Sequence, residues 1–443
     1  MPHTASPRYL LSRRQPPRYL LSRRQPRRRL LSRRQPPRLL SRRLATRRLM
    51  AGIVVGVASL LAGFIAFPPT AQALPGGAGY AVSLGDSYIS GEAGRWAGNS
   101  SYPSQTDALG PAAYYDAGSG ESIRGCHRSK SAEIAIGVLA SANLACSGAR
   151  TTTSPYSPTS DFKPGLDFYD DGAGHLGQAL TLQRFAATHR VKLIAVSIGG
   201  NDFKFASIVQ SCVLDFLTSP SWWKNFCNDD SSVTANFTAA SIAAVTARIA
   251  GALRNVNTAM SRAGYSAGDY ALVVQDYPSP LPNGAGIRYP EYGYTRQSTG
   301  GCGFYNADAN WANSYALPTI NGTVRAAVAQ SGLSNVTLLD IAGLLNGRRL
   351  CESGVHKLNE TSLASWQSPS AVDHSEWVEE IRTVTAALGP YYIQESIHPN
   401  YWGQLALRSC LRQAFAGGVA HGGTCLRSGL GLNARGEPVV SLR

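Results

Sequence analysis

No Cys-x-x-Cys pair occurs in the chain, and no group of histidines has zinc spacing. A metal site built from those ligands is therefore excluded. Acidic residues are missing from one end: residues 1–73 contain no Asp or Glu, yet hold 16 of the 42 Lys and Arg. The formal net charge of +15 thus belongs to the N-terminus. The rest of the chain has 26 basic against 27 acidic side chains and lacks the basic patch that nucleic-acid binding requires. Also missing is a linker long enough to set off a second domain. The chain as a whole is 44% hydrophobic, and positions 74–443 are read as one large α/β domain with insertions.

What precedes that domain is not globular in composition. Residues 7–16, PRYLLSRRQP, repeat at 17–26, and close variants follow. Such Arg- and Pro-rich units have little to bury, so residues 1–49 are expected to be disordered. An uncharged apolar stretch then runs from Leu49 to Phe67 and is followed by Ala71-Gln72-Ala73. A positive segment, an apolar segment and small residues at that spacing make residues 50–73 an export signal cut after Ala73, and the protein secreted. The stretch at 49–67 is also long enough to span a bilayer, so an uncleaved anchor with the domain outside is the alternative. All eight cysteines lie beyond it. An even number in an exported chain implies disulfides, and sequence neighbours give the simplest pairing: Cys126 with Cys146, Cys212 with Cys227, Cys302 with Cys351, and Cys410 with Cys425.

Short apolar runs at Gly79–Leu84, Lys192–Ile198, Tyr270–Gln275 and Val336–Ile341 read as buried strands. Helical patterns occupy Gly177–Arg190, Ser241–Ala263, Pro318–Gln330, Ser375–Leu388 and Tyr401–Ala416. Strands alternating with helices predict a parallel sheet covered on both faces, with ligands at the carboxyl ends of its strands. Gly-, Ser-, Tyr- and Asn-rich stretches near 92–130, 150–176, 203–235, 283–312 and 350–372 read as long loops, most of them holding a cysteine. Trp222 and Trp223, inside one such loop, either line a ligand site or pack the loop.

Two serines compete as nucleophile. Gly264-Tyr265-Ser266-Ala267-Gly268 matches G-x-S-x-G, but that motif needs a strand before the serine and a helix after it. Here a helix precedes and a strand follows. In VSLGDSYISGE, residues 82–92, Ser87 instead stands just past a strand end. A serine hydroxyl needs a base and donors for an oxyanion. Candidates lie after later elements: Asn201 in Ile198-Gly199-Gly200-Asn201-Asp202, Gly148 in Ala145-Cys146-Ser147-Gly148-Ala149, and His398 in Glu395-Ser396-Ile397-His398-Pro399.

Taken in order, Gly85-Asp86-Ser87-Tyr88, Gly148, Gly199-Gly200-Asn201-Asp202 and His398-Pro399 resemble the four blocks of the SGNH hydrolases, the GDSL-type lipases and esterases. The similarity spans about residues 78–416, and the cysteine-bearing loops and export signal resemble secreted actinobacterial members. The resemblance implies a flavodoxin-like three-layer α/β/α sandwich with a central parallel sheet, its loop insertions pinned by disulfides. It implies hydrolysis of carboxylic esters with no cofactor and no metal. Ser87 would be the nucleophile and His398 the base. Ser87 N–H, Gly148 N–H and the Asn201 side chain would form the oxyanion hole. Two positions depart from the pattern. Tyr88 replaces the leucine of the family name, and Glu395 stands where an aspartate orients the histidine. The main-chain carbonyl of Ser396 is the alternative orienter.

The implied partner is a small-molecule or lipid ester, with transient contact at a lipid surface, no nucleic acid, and a monomer favoured. A carbohydrate acetyl esterase or a phospholipase would fit the same blocks. An inactive exported binding module is the rival from another class, set against the intact Ser, Gly, Asn and His blocks.

Overall fold

The computed structural model describes residues 74–443 except Thr159, Ser221 and 384–389. The expectations for the Arg-rich segment, the export signal and the anchor at 49–67 lie outside the described residues. Among the described residues no single helix is long and apolar enough to cross a membrane.

Seven strands form one sheet: β1 (Tyr80–Gly85), β2 (Ala140–Asn143), β3 (Val191–Ser197), β4 (Ala271–Gln275), β5 (Val336–Asp340), β6 (Gly423–Leu432) and β7 (Pro438–Leu442). Their spatial order is β2-β1-β3-β4-β5-β6-β7. All neighbours are parallel except β6 and β7, which form an antiparallel hairpin at one edge. The 2-1-3-4-5 run is the flavodoxin-like order. The four expected strands fall within one residue of β1, β3, β4 and β5. β2, β6 and β7 are additional, being short or lying past the last expected helix.

Eleven helices are described. Five are single turns: α1 (Ser87–Ser90), α2 (Pro103–Thr106), α5 (Ser231–Thr234), α7 (Thr295–Ser298) and α10 (Ala371–His374). The longer ones are α3 (Gln178–Ala186), α4 (Phe205–Thr218), α6 (Ala239–Arg262), α8 (Asn306–Trp311), α9 (Leu317–Ser331) and α11 (Tyr401–Ala414). β1 and β3 are buried along nearly their whole length, without the alternation of a sheet wet on one side, so helices cover both faces. α3, α6 and α9 pack together as one layer. α6 buries Val245, Ile249, Leu253, Val256 and Met260, a stripe at three- and four-residue spacing, and Thr238 caps its first turn. α11 packs on β7 and on the 130–136 segment, where Arg408 and Arg412 donate to the Ala132 and Ile136 carbonyls.

Three expectations need correction. The stretch 203–235, read as loop, contains α4 and α5, and the stretch 283–312, also read as loop, contains α7 and α8. The helix expected at Ser375–Leu388 does not form over 375–383; its remainder lies outside the described residues. Specific tertiary bonds displace it. Trp377 N–H donates to Arg348 O, Ile381 N–H to Gly301 O, and Val378 bridges Pro399. The carboxylates of this segment are buried. Glu376 is held by Asn99 and Arg288, Glu380 by Lys357, and Glu379 by Arg382.

All four disulfides join sequence neighbours: Cys126–Cys146, Cys212–Cys227, Cys302–Cys351 and Cys410–Cys425.

Candidate active site

The sheet register sets the site. Gly85, the end of β1, pairs with Ser197, the end of β3, and Val196 of β3 pairs with Val274 of β4. Ser87, Gly199 and Tyr277 therefore leave the sheet together at its carboxyl edge. Close approach makes glycine necessary at the first exit. Gly85 has φ +128°, and a Cβ there would lie 1.8 Å from the Ser197 carbonyl oxygen. At the second exit, Gly199 has φ +122° and turns the chain into Gly200-Asn201.

Past Gly85, Asp86 caps α1 by accepting the Tyr88 N–H at 3.2 Å. Ser87 thus begins a helical turn with its hydroxyl facing His398. Ser87 Oγ lies 2.7 Å from His398 Nε2, across 311 residues of sequence. On the other side of the ring, His398 Nδ1 lies 3.0 Å from the Ser396 carbonyl oxygen. A carbonyl only accepts, so Nδ1 carries the proton and Nε2 is left to accept from Ser87. Burial holds the imidazole below the usual histidine range, against the opposing charge of Glu92. The base is therefore neutral near pH 7.

The two orienters left open by the sequence part company here. The Ser396 carbonyl meets the imidazole; the Glu395 carboxylate does not. Glu395 accepts from Tyr114 OH at 2.6 Å and from Tyr392 N–H at 2.9 Å. Burial, with the nearby Glu92 charge, pushes it up to about 7. The backbone bends at Ile397, which has φ +64°, a conformation costly for a β-branched residue. That bend returns the Ser396 carbonyl towards Nδ1. Three bonds hold it: Ile397 N–H to Glu379 O, Glu379 N–H to His398 O, and Tyr88 OH to Ile397 O. Tyr88, the departure from the leucine pattern, thus braces the histidine loop.

Asn201 and Ser87 line one cavity with Asp86, Tyr88, Gly200 and Tyr277. Asn201 Nδ2 donates to Ala149 O at 2.9 Å, leaving its second proton free. Gly148 is the residue before that carbonyl. It is not on the cavity wall. Its loop is tied to the nucleophile strand by the Cys146 N–H to Gly85 O bond. It is tied to the Asn201 turn by Thr151, which donates from N–H and Oγ1 to Asp202. Neither the Ser87 N–H nor the Gly148 N–H has an acceptor among the described residues.

Ser266 belongs elsewhere: its hydroxyl donates to Asp269 in the exposed turn between α6 and β4. Among the described residues no group of three or more His, Cys, Asp and Glu is placed to hold a metal ion.

Sequence reasoning missed Tyr277. Its hydroxyl donates to Asp86 Oδ2 at 2.5 Å and accepts the Gly200 N–H at 2.9 Å, joining the nucleophile turn to the Asn201 turn. Its position two residues past β4 was the available signal. A second cavity adjoins the first, sharing Phe205, Pro280, Leu317 and Ile320. It is walled by apolar side chains, among them Ile208, Phe304, Trp311 and Ile397. α4, whose Phe205, Ile208, Val209 and Cys212 face it, builds one side.

No family model matches the chain, and no curated protein matches it. Among solved structures the chain is similar to an extracellular lipase from Streptomyces rimosus, at 22% identity and a TM-score of 0.38 over 74% of this chain and 95% of that one. It is similar to a phospholipase A1 from Streptomyces albidoflavus NA297 at 21% identity and a TM-score of 0.35, with the same coverage. A carbohydrate esterase follows at 13% and 0.26, over 68% of this chain and 63% of that one. At these scores the likeness adds nothing to the geometry described above.

Proposed function

We propose that the protein is an exported serine hydrolase of the SGNH type that cleaves carboxylic esters through an acyl-enzyme. The observation that carries this reading is the relay Ser87 Oγ to His398 Nε2 at 2.7 Å, with Nδ1 on the Ser396 carbonyl at 3.0 Å. Ser87 Oγ attacks the ester carbonyl as its proton passes to Nε2. The resulting imidazolium is stabilised by the Ser396 carbonyl on Nδ1. The tetrahedral oxyanion takes hydrogen bonds from the unengaged Ser87 N–H and from Asn201 Nδ2, which share the cavity wall. Collapse expels the alcohol, which takes the proton from Nε2, and leaves Ser87 acylated. Water then loses a proton to Nε2, attacks the acyl carbon, and releases the acid with Ser87 restored.

The apolar second cavity favours a lipid acyl chain over an acetyl group, and so a lipase or phospholipase over a carbohydrate acetyl esterase. Export agrees with four disulfides and no free cysteine among the described residues. A fluorophosphonate probe tests the reading directly. The chain should be labelled at Ser87, and Ser87→Ala should take no label. Labelling that survives Ser87→Ala, or no labelling of the parent, would end it, the latter in favour of an inactive binding module.

A further inference from the structure

Two loops carry strongly exposed aromatic side chains that the proposed chemistry does not use. Trp222 and Trp223 are 81% and 73% exposed, so they neither line a cavity nor pack their loop. Their rings stand edge to face at 6.4 Å. On the neighbouring loop Tyr292 and Tyr294 are 74% and 54% exposed. An ion pair between Lys224 Nζ and Glu291 Oε2, 2.5 Å apart, ties the two loops together. The tryptophan loop is anchored on both sides of the two indoles. Cys227 is bonded to Cys212, Ser219 Oγ lies 2.8 Å from Tyr305 OH, and Phe226 stacks edge-on against the Tyr305 ring. A well-held loop that presents two indoles to solvent marks an interaction surface.

Position and chemistry point to the partner. Tyr305 follows Phe304, which walls the apolar cavity beside the site, and Cys212 lies on the wall of the same cavity. The aromatic loop is thus joined to that cavity's wall through the Cys212–Cys227 bond and through Tyr305, the neighbour of Phe304. Its charges cancel in the Lys224–Glu291 pair, leaving no net sign to match a charged protein. Indole and phenol rings, apolar with one polar tip, are the side chains that settle at lipid headgroup level.

We propose that Trp222, Trp223, Tyr292 and Tyr294 dock the protein on a lipid surface, from which acyl chains enter the apolar cavity. The purpose of this docking rests on the ester-hydrolase reading; its detection does not.

Tryptophan emission reads it. Trp96, Trp377 and Trp402 are buried, Trp311 and Trp366 are half-buried, and residues 1–73 contain none. Quenching by phosphatidylcholine vesicles with brominated acyl chains therefore reports chiefly Trp222 and Trp223, with a smaller share from Trp311 on the cavity wall, even where residues 49–67 also touch the bilayer. The full chain carrying Ser87→Ala, which cannot consume the lipid, should be quenched. Adding Trp222→Ser and Trp223→Ser should abolish that quenching, and adding Tyr292→Ser and Tyr294→Ser instead should weaken it. No quenching of the Ser87→Ala chain, or equal quenching after loss of both tryptophans, overturns the proposal. So does a lipid-independent assembly that hides both indoles, which would assign the patch to a protein partner. With Ser87 intact, loss of the two tryptophans should slow hydrolysis of an emulsified long-chain ester severalfold and spare a dissolved short-chain ester. Equal slowing on both overturns the docking. A parent chain that cleaves neither ester refutes the hydrolase reading, while the quenching still decides the docking.

Discussion

His398 receives its orientation from a backbone carbonyl, and that choice has consequences for single residues. Glu395 is the carboxylate nearest in sequence, yet its two oxygens are taken by Tyr114 and Tyr392, and burial raises it to about 7. Glu395→Gln keeps the shape, and the Tyr114 hydroxyl can turn to accept. Turnover on a soluble nitrophenyl ester should stay within a few-fold of the parent. Losing an orienting carboxylate that is in use costs ~10⁴-fold in serine proteases, and a fall on that scale would return the role to Glu395. Asn201 differs because its free amide proton has no structural partner to satisfy. Asn201→Ala should fold with an unchanged circular dichroism spectrum and lose ~10²–10³ in turnover, the cost of one oxyanion donor. Near-full activity of that variant would remove Asn201 from the site.

At the scale of elements, the site is a set of strand exits held in mutual position. β1, β3 and β4 were legible in the sequence because each is a short apolar run that meets a Gly or Asp at its end or within two residues past it, and such ends pointed to Ser87 and Asn201. What joins the exits was not legible. Tyr277 looks like any aromatic after a strand until the register of β3 and β4 sets it level with Gly199. Ile397 hides its bend, because nothing in an isoleucine announces a positive φ. The 375–383 segment misled because Glu376, Glu379 and Glu380 resemble a solvated helix face, whereas their ion pairs lie inside the fold. α4 was missed for the opposite reason: polar and tryptophan-rich neighbours concealed Phe205, Ile208, Val209 and Cys212 at helical spacing. The importance of the exits makes Tyr277→Phe informative. It strips the partner from Asp86 Oδ2 and from the Gly200 N–H, both buried, and unmet buried groups cost ~1–3 kcal/mol each. The unfolding free energy should fall by that order, lowering the urea midpoint, and turnover should fall with it as the Asn201 turn loosens. An unchanged midpoint would mean that the two turns do not depend on this clamp.

Across the whole molecule, burial of carboxyl groups sets a pH dependence that runs against the chemistry. Burial raises Asp86 and Glu395 to about 7, and Glu133 and Glu379 to about 8, from ordinary values of 3.8 for Asp and 4.5 for Glu. Between those limits the folded protein binds more protons than the unfolded chain, so the stability these groups contribute is complete below about pH 4 and is lost as pH rises to about 8. His127 adds to the trend: burial lowers it, but the Glu92 carboxylate at 2.7 Å outweighs that and raises it, so its contribution also fades on the alkaline side. Glu92 opposes at the acid end. Burial would raise it, yet His127 holds it low, and its contribution disappears as pH falls below 4.5. These directions place maximal stability on the acid side of neutrality. The melting temperature at pH 5.5 should exceed that at pH 8.5 by at least ~3 °C, about what 2 kcal/mol moves in a protein of this size. Catalysis needs His398 neutral, and burial lowers its pKa, so the acid limb of kcat/KM should have its midpoint below 6.5. Scanning calorimetry and a pH–rate profile on one preparation check both limbs. A melting temperature that rises from pH 5.5 to 8.5 would mean that these carboxyl groups ionise without strain in the fold. An acid limb centred above 6.5 would mean that a carboxylate, and not the Ser396 carbonyl alone, governs the imidazole.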